Sequence, residues 1–369
     1  VAKIRVLIVD DAVVIRKILS DTLAQDPDIE IVGLAANGKI AVQKITQCNP
    51  DIITLDVEMP EMNGIETVKK IRETHPKLPI IMFSTLTERG AEVTLEALSA
   101  GASDYVTKPA NVGSVANAKE MVKSEMLAKI KSLTRHSPQM LLAEAGAPTP
   151  PRPSKPQAAL SPRAHSSIRV PLEMVCIGVS TGGPNALAAL LPTLPATFPL
   201  PIVIVQHMPP LFTKMLAQRL DAQCNLRVHE GTEGMKVMPG NIYIAPGNFH
   251  MELRRSDFLY LTLHQGPQEN SCRPAVDPLF RSVVSLFGAG TLGIILTGMG
   301  QDGLNGCAHI REIGGQIIAQ DEASSVVWGM PGYVANAGLA DVVLPLDKIG
   351  AEIVARVVKR GASLHAARI

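Results

Sequence analysis

Three apolar, β-branched runs in the second half of the chain each end at a reactive side chain: 174–179 before Ser180, 201–206 before His207, and 293–298 shortly before Asp302. A parallel α/β sheet collects such residues along one edge, because open sheets of this kind bind ligands beyond the carboxyl ends of their strands. Three loops there can converge on one substrate atom. Serine, histidine and aspartate are the set that acyl-transfer hydrolysis requires.

The 369 residues are 46% apolar and carry nearly balanced charge, enough for about two domains with proper cores. A formal net charge of +1 gives no general attraction for DNA or anionic lipid, and aromatics at 3% offer few stacking platforms for single strands. Small molecules or proteins are the expected partners, not nucleic acid. The five cysteines are odd in number, far apart and without a C-x-x-C pair, so they read as reduced thiols. No apolar run approaches the length of a membrane span, and Asp10 and Asp11 interrupt any signal-peptide pattern. The expected location is the cytoplasm, without membrane insertion.

From residue 3 to 132, strand-like runs at 6–9, 31–35, 52–55, 80–83 and 104–107 alternate with amphipathic helical stretches. That pattern predicts a (βα)5 unit with a doubly wound parallel sheet. Residues 146–171 are rich in proline, which removes backbone donors, and read as a linker. A second α/β unit has strand-like runs near Val175, Ile202, Asn241, Leu259, Gly293, Gln316 and Val342. Its sheet is expected to be doubly wound and mostly parallel, with an antiparallel hairpin pairing the runs around Tyr243 and Leu259. The boundaries are 1–123 for the first domain, 124–171 for a helical then proline-rich linker, and 172–369 for the second domain.

Asp10 and Asp11 follow the first strand, Asp56 ends the third, Ser84 the fourth and Lys108 the fifth, so all five share one rim. Each acidic residue alone reads as a solvated loop carboxylate. Together they suit Mg²⁺, a hard cation with oxygen ligands that keeps waters for a phosphate to replace. Asp56 is then a candidate phosphoryl acceptor, with the metal and the Lys108 ammonium offsetting the transferred charge. These residues and the Lys108-Pro109 pair strongly resemble the receiver domain of bacterial response regulators over roughly the first 120 residues. The resemblance implies phosphorylation of Asp56 by a histidine kinase, and Mg²⁺ on Asp10, Asp11, Asp56 and the Glu58 backbone carbonyl. It also implies switch positions at Ser84 and Tyr105 and a cis peptide before Pro109. Ala12 stands where many relatives carry serine.

Gly178-Val179-Ser180-Thr181-Gly182 fits G-x-S-x-G between a strand and a helix opened by Pro184, the setting of a nucleophile elbow. Two other readings stand beside it: a helix cap by Ser180 or Thr181, and a Gly-rich phosphate cradle. His207 alone fits a strand-end histidine bonded to a carbonyl, and Asp302 alone fits a turn former. Their coincidence at one sheet edge favours a nucleophile, a base and an orienting acid. The order Ser, His, Asp differs from that of α/β-hydrolases.

The strings GVSTGGP, IVQHMPP, YIAPGNFHMEL, CRPAVDPLF, ILTGMGQDG and GMPGYV closely resemble the catalytic domain of the chemotaxis protein-glutamate methylesterase (CheB) family, over nearly all of 172–349. The resemblance implies Ser180 as nucleophile, His207 as base and Asp302 as its partner, without a cofactor at this site. Thr181 and Met299 would line the site, the Met299 N–H being an oxyanion donor. The implied activity is demethylation of glutamate methyl esters on methyl-accepting chemoreceptors, with deamidation of receptor glutamines. The phosphodonor would be the chemotaxis histidine kinase. A phosphoacceptor joined to an esterase predicts that the receiver obstructs the cleft until phosphorylated. The rival class is a response regulator whose second half binds DNA or a nucleotide without chemistry. It lacks support: no helix-turn-helix or strongly basic face stands out, and no acidic residue follows the glycines at ribose-binding distance.

Overall fold

Strands buried on both faces need continuous apolar runs, and such runs build the two parallel sheets of the molecule. The computed structural model describes residues 3–108, 119–120, 122–134 and 170–366. In the first half β1 (Ile4–Val9), β2 (Ile29–Ala35), β3 (Ile52–Asp56), β4 (Ile80–Thr85) and β5 (Asp104–Lys108) are all parallel, in the order β2-β1-β3-β4-β5. Helices α1 (Val13–Leu23), α2 (Gly38–Cys48), α3 (Gly64–Thr74) and α4 (Glu88–Ser99) make the crossovers. Asn37, Asn63 and Thr87 cap α2, α3 and α4 through their side chains, and Glu66 completes a capping box with Asn63. The winding reverses between β1 and β3, which brings Asp10, Asp11 and Asp56 to one crevice.

A π-helical turn (Val122–Met126) leads into α5 (Leu127–Thr134). Val122, Met126, Ile130 and Leu133 recur at helical spacing and join the apolar cluster of Ile4, Val6, Ile8 and Phe83. The helical start expected for the linker is therefore packed on the first sheet. Of the proline-rich stretch only residues 170 and 171 are described, and Pro109 with its expected cis peptide also lies outside the described residues.

The second half contains β6 (Met174–Val179), β7 (Ile202–Gln206), β8 (Arg227–Glu230), β9 (Asn241–Ile244), β10 (His250–Arg255), β11 (Leu259–His264), β12 (Thr291–Ile295), β13 (Gln316–Gln320) and β14 (Val342–Leu344). Seven strands form a parallel sheet in the order β14-β13-β12-β6-β7-β9-β8. Its helices are α6 (Gly183–Leu190), α7 (Phe212–Asp221), α8 (Val276–Phe287), α9 (Leu304–Glu312), α10 (Met330–Asn336) and α11 (Leu346–Ala366).

The hairpin exists but is shifted from the expected one. It pairs β10 with β11, His250 opposite His264 and Arg255 opposite Leu259, whereas the strand around Tyr243 joins the parallel sheet beside β7. In the segment expected as a connection, Met251 and Leu253 alternate inward against Leu261, so period-two burial makes it a strand. β8 was not expected from the sequence.

The halves are docked. Helix α4 lies against α6 and α7. Asn185 donates to the carbonyl of Leu98 at 2.8 Å, and Lys214 reaches Glu88 at 3.4 Å.

Candidate active site

The second sheet reverses its winding between β6 and β12, the place where the carboxyl ends of strands open a crevice. All three candidate residues lie there. β6 is buried throughout and ends at Val179, just before Ser180; β7 ends at Gln206, just before His207. Val179 pairs with Gln206, and the His207 N–H donates to the Val179 carbonyl at 3.2 Å. Ser180 and His207 thus follow directly on the paired ends of adjacent strands, whose backbones lie about 4.8 Å apart. His207 Nε2 and Asp302 Oδ2 are 2.8 Å apart, both side chains nearly out of contact with water.

The turn after Ser180 requires small residues. Gly182 is the N-cap of α6, and no side chain caps that helix, so the helix-cap reading of Ser180 and Thr181 does not hold. A Cβ on Gly183 would lie 1.8 Å from Gln206 Oε1, and one on Gly298 would lie 2.8 Å from Ser180 Cβ. The chain after β12 therefore runs against the serine at Thr297 and Gly298. Thr181 is buried, and its carbonyl accepts from Thr297 Oγ1 at 2.9 Å; Met299 is half-buried.

Sequence reasoning missed Gln206, which sits inside an apolar run. Its Nε2 donates to the carbonyls of Ser180 at 3.0 Å and His207 at 3.3 Å, joining the two loops with one amide. It also missed Asn270, whose Nδ2 donates to Asp302 at 2.8 Å and Asp277 at 3.0 Å. Asn185, on which the sequence placed no role, bridges the two halves.

Asp302 lies at the amino end of α8 and accepts from the N–H groups of Val276 (2.6 Å), Asp277 (3.2 Å) and Gly303 (3.0 Å). Burial would raise its pKa, but the hydrogen bond and charge of His207 and the N–H groups of Val276 and Asp277 outweigh it, and the carboxyl is held below the usual range. Burial would likewise lower the pKa of His207. The bond to Asp302, with Cys272 adding to it, wins instead and pushes the imidazole up to about 10.

In the first half, Lys108 Nζ lies 3.0 Å from Asp10 and 2.8 Å from Asp56. Oxygens of Asp10, Asp11 and Asp56 lie within 4.8 Å of one another, an all-carboxylate donor set that fits a hard divalent cation. Burial, partly offset by Lys108, and the charge of Asp10 raise the Asp56 pKa to about 6. Ser84 is buried and donates to the Gly90 carbonyl at 3.1 Å. Glu58 is exposed, its side chain 3.4 Å from Arg89. Tyr105 is buried, held by Lys129 over its ring and stacked on Phe212 of the second half. On the other side, Val327 and Met299 join the apolar cluster of the first half. Val327 is tied to the serine loop, since its N–H donates to Thr297 Oγ1 and its carbonyl accepts from Gly298.

Fold and site define a class: a receiver-type unit with an acidic crevice, docked on an α/β unit with a serine–histidine–aspartate crevice. Residues 175–353 match the CheB methylesterase family model, and residues 6–120 match that of the response regulator receiver domain. A protein of Trichodesmium erythraeum named protein-glutamate methylesterase/protein-glutamine glutaminase is 51% identical over 365 residues, covering 96% of this chain and 99% of that one. A Nocardioides protein of the same name is 52% identical over 371 residues, covering 98% and 97%. The solved catalytic domain of Thermotoga maritima CheB methylesterase is 45% identical, covers 50% of this chain and 98% of that one, and superposes with a TM-score of 0.49. The chain belongs to the protein-glutamate methylesterase/protein-glutamine glutaminase family. Among the described residues, no helix is long and apolar enough to cross a membrane.

Proposed function

We propose that this chain is a phosphorylation-activated hydrolase that removes methyl groups from glutamate esters on chemoreceptors, releases methanol, and deamidates receptor glutamines. The carrying observation is the 2.8 Å contact of His207 with Asp302, one strand away from Ser180. Nε2 is engaged by Asp302, so His207 Nδ1 takes the proton as Ser180 Oγ attacks the ester carbonyl. Asp302 stabilises the imidazolium. The oxyanion forms beside the Met299 N–H, with Thr181 lining the site, and the imidazolium returns its proton to the departing methanol. Water then hydrolyses the acyl-enzyme by the same base. A glutamine amide enters the same path and loses ammonia. No cofactor takes part at this site.

In the receiver, residues 1–123, Asp56 accepts phosphate from a chemotaxis histidine kinase. Asp10, Asp11, Asp56 and the Glu58 carbonyl would hold Mg²⁺, which neutralises charge on the phosphoryl group. Lys108 supplies a further positive charge at the same crevice, and Ser84 and Tyr105 respond to it. Residues 124–171 link this domain to the catalytic domain, 172–369. The docking of Val327 and Phe212 against the first half supports a receiver that obstructs the crevice until phosphorylated. The enzyme acts in the cytoplasm on the cytoplasmic parts of receptors.

The test is release of labelled methanol from membranes bearing methyl-esterified receptor. Ser180→Ala should abolish it. Undiminished release by that variant would defeat the assignment.

A further inference from the structure

We infer that Asn270 is a positioning residue of the proposed hydrolase site, holding two buried carboxylates, Asp302 and Asp277, in one fixed arrangement behind His207. The inference rests on the reading of Ser180, His207 and Asp302 given above.

Asn270 is delivered by a tight turn. Glu269 and Cys272 exchange backbone hydrogen bonds at 3.2 and 2.8 Å, with φ of 50° at Asn270 and 61° at Ser271 between them. Two successive left-handed residues make the turn that closes the shortest hairpins, and asparagine tolerates that backbone better than most residues. The turn is anchored to α8 by a two-pronged pair, Arg281 to Glu269 at 2.9 and 2.6 Å.

From there the two N–H bonds of one amide serve two carboxylates, reaching Asp302 Oδ1 at 2.8 Å and Asp277 Oδ2 at 3.0 Å. Both acids are almost fully buried, 2% and 1% exposed. Two like charges so placed disfavour each other, and burial followed by the Asp302 charge raises the pKa of Asp277, with Gly306 N–H, Asn270 and Arg281 acting against it. The other titratable side chains facing this cluster are His207 on Asp302, Cys272 beside His207 and the buried Cys307 beside Asp277. His207 uses Oδ2 of Asp302; Asn270 holds Oδ1 and so fixes the carboxylate plane. Removing that donor leaves Asp302 more basic, and the imidazolium is then bound more tightly. The base becomes free only at higher pH.

The experiment uses the full chain, activated by a small phosphodonor with Mg²⁺, with methanol release followed against pH and substrate. Asn270→Gly removes the amide and keeps the backbone freedom. It should lower kcat about tenfold or more with KM little changed, and move the alkaline-going limb of the pH profile up by roughly half a unit or more. Asn270→Asp keeps the shape, adds a charge and should move the limb further. Ser271→Gly relaxes the same turn without touching either acid and should behave as the parent. Parent-like kcat and pH limb in both Asn270 variants would overturn the inference, and so would an equal loss in Ser271→Gly with an unmoved limb. Ser180→Ala separates the two readings: if it stays active the hydrolase assignment fails, and if it is dead while Asn270→Gly is unaffected, only the role of Asn270 fails.

Discussion

Tyr105 of the first half lies flat on Phe212 of the second, ring centroids 4.7 Å apart and planes 4° from parallel. Such a pair contributes about 1 kcal/mol beyond the area it buries, which is about fivefold in a docking equilibrium. Tyr105→Leu in the full chain should therefore raise methanol release without phosphodonor by about that factor. An unchanged basal rate, with the fold intact by circular dichroism, would show that this stack does not hold the halves together.

Asn185 offers a second, independent handle on the same equilibrium. Its amide reaches the Leu98 carbonyl at 2.8 Å and that of Ala102 at 3.5 Å. Loss of a hydrogen bond of this kind costs about 1 kcal/mol. Asn185→Ala should raise the basal rate several-fold and leave the phosphorylated rate near the parent value, measured side by side in the same assay.

The His207–Asp302 pair sets opposite pH trends for activity and stability. A histidine raised from 6.5 to about 10 is a free base only on the alkaline side, so kcat/KM should climb along a limb lying above 6.5. The stability it contributes is complete below 6.5 and is lost as pH rises toward 10. The lowered carboxyl of Asp302 contributes stability above 3.8 that is lost as pH falls through its depressed value. Asp302→Asn should cut kcat by roughly ten-thousandfold and return the imidazole toward 6.5, as read by histidine NMR titration. A limb centred at or below 6.5 in the parent chain would contradict the pair's role.

Gln206 should be intolerant of an isosteric carboxylate. Gln206→Glu replaces the donor shared by the Ser180 and His207 carbonyls with an acceptor, at a site 2% exposed. Unpaired buried groups cost about 1–3 kcal/mol. The expected result is a lower denaturation midpoint together with a kcat loss of about tenfold or more, whereas parent-like turnover would remove Gln206 from the site.

Much of the arrangement is legible in the sequence because the central strands are buried on both faces and end abruptly at polar residues. The runs 174–179, 201–206 and 293–298 together point to one sheet edge for Ser180, His207 and Asp302. β8 was hidden by its position at the sheet edge, where Arg227, His229 and Glu230 flank a single buried Val228. The hairpin was shifted because Met251 and Leu253 alternate with Glu252 and Arg254, a charged strand that reads equally well as a connection. Gln206 is counted within the apolar run 201–206, and Asn270 belongs to none of the patterns read from the sequence. Their contacts cross 26 and 32 positions of sequence, and no local pattern announces them.

The Asp302 carboxylate takes three of its donors from the main chain, two of them at the start of α8. Peptide groups cannot be mutated away. The negative charge behind the imidazole is thus a property inherited from the path of the chain, and substitutions on the surrounding surface can drift freely while the acid stays ionised.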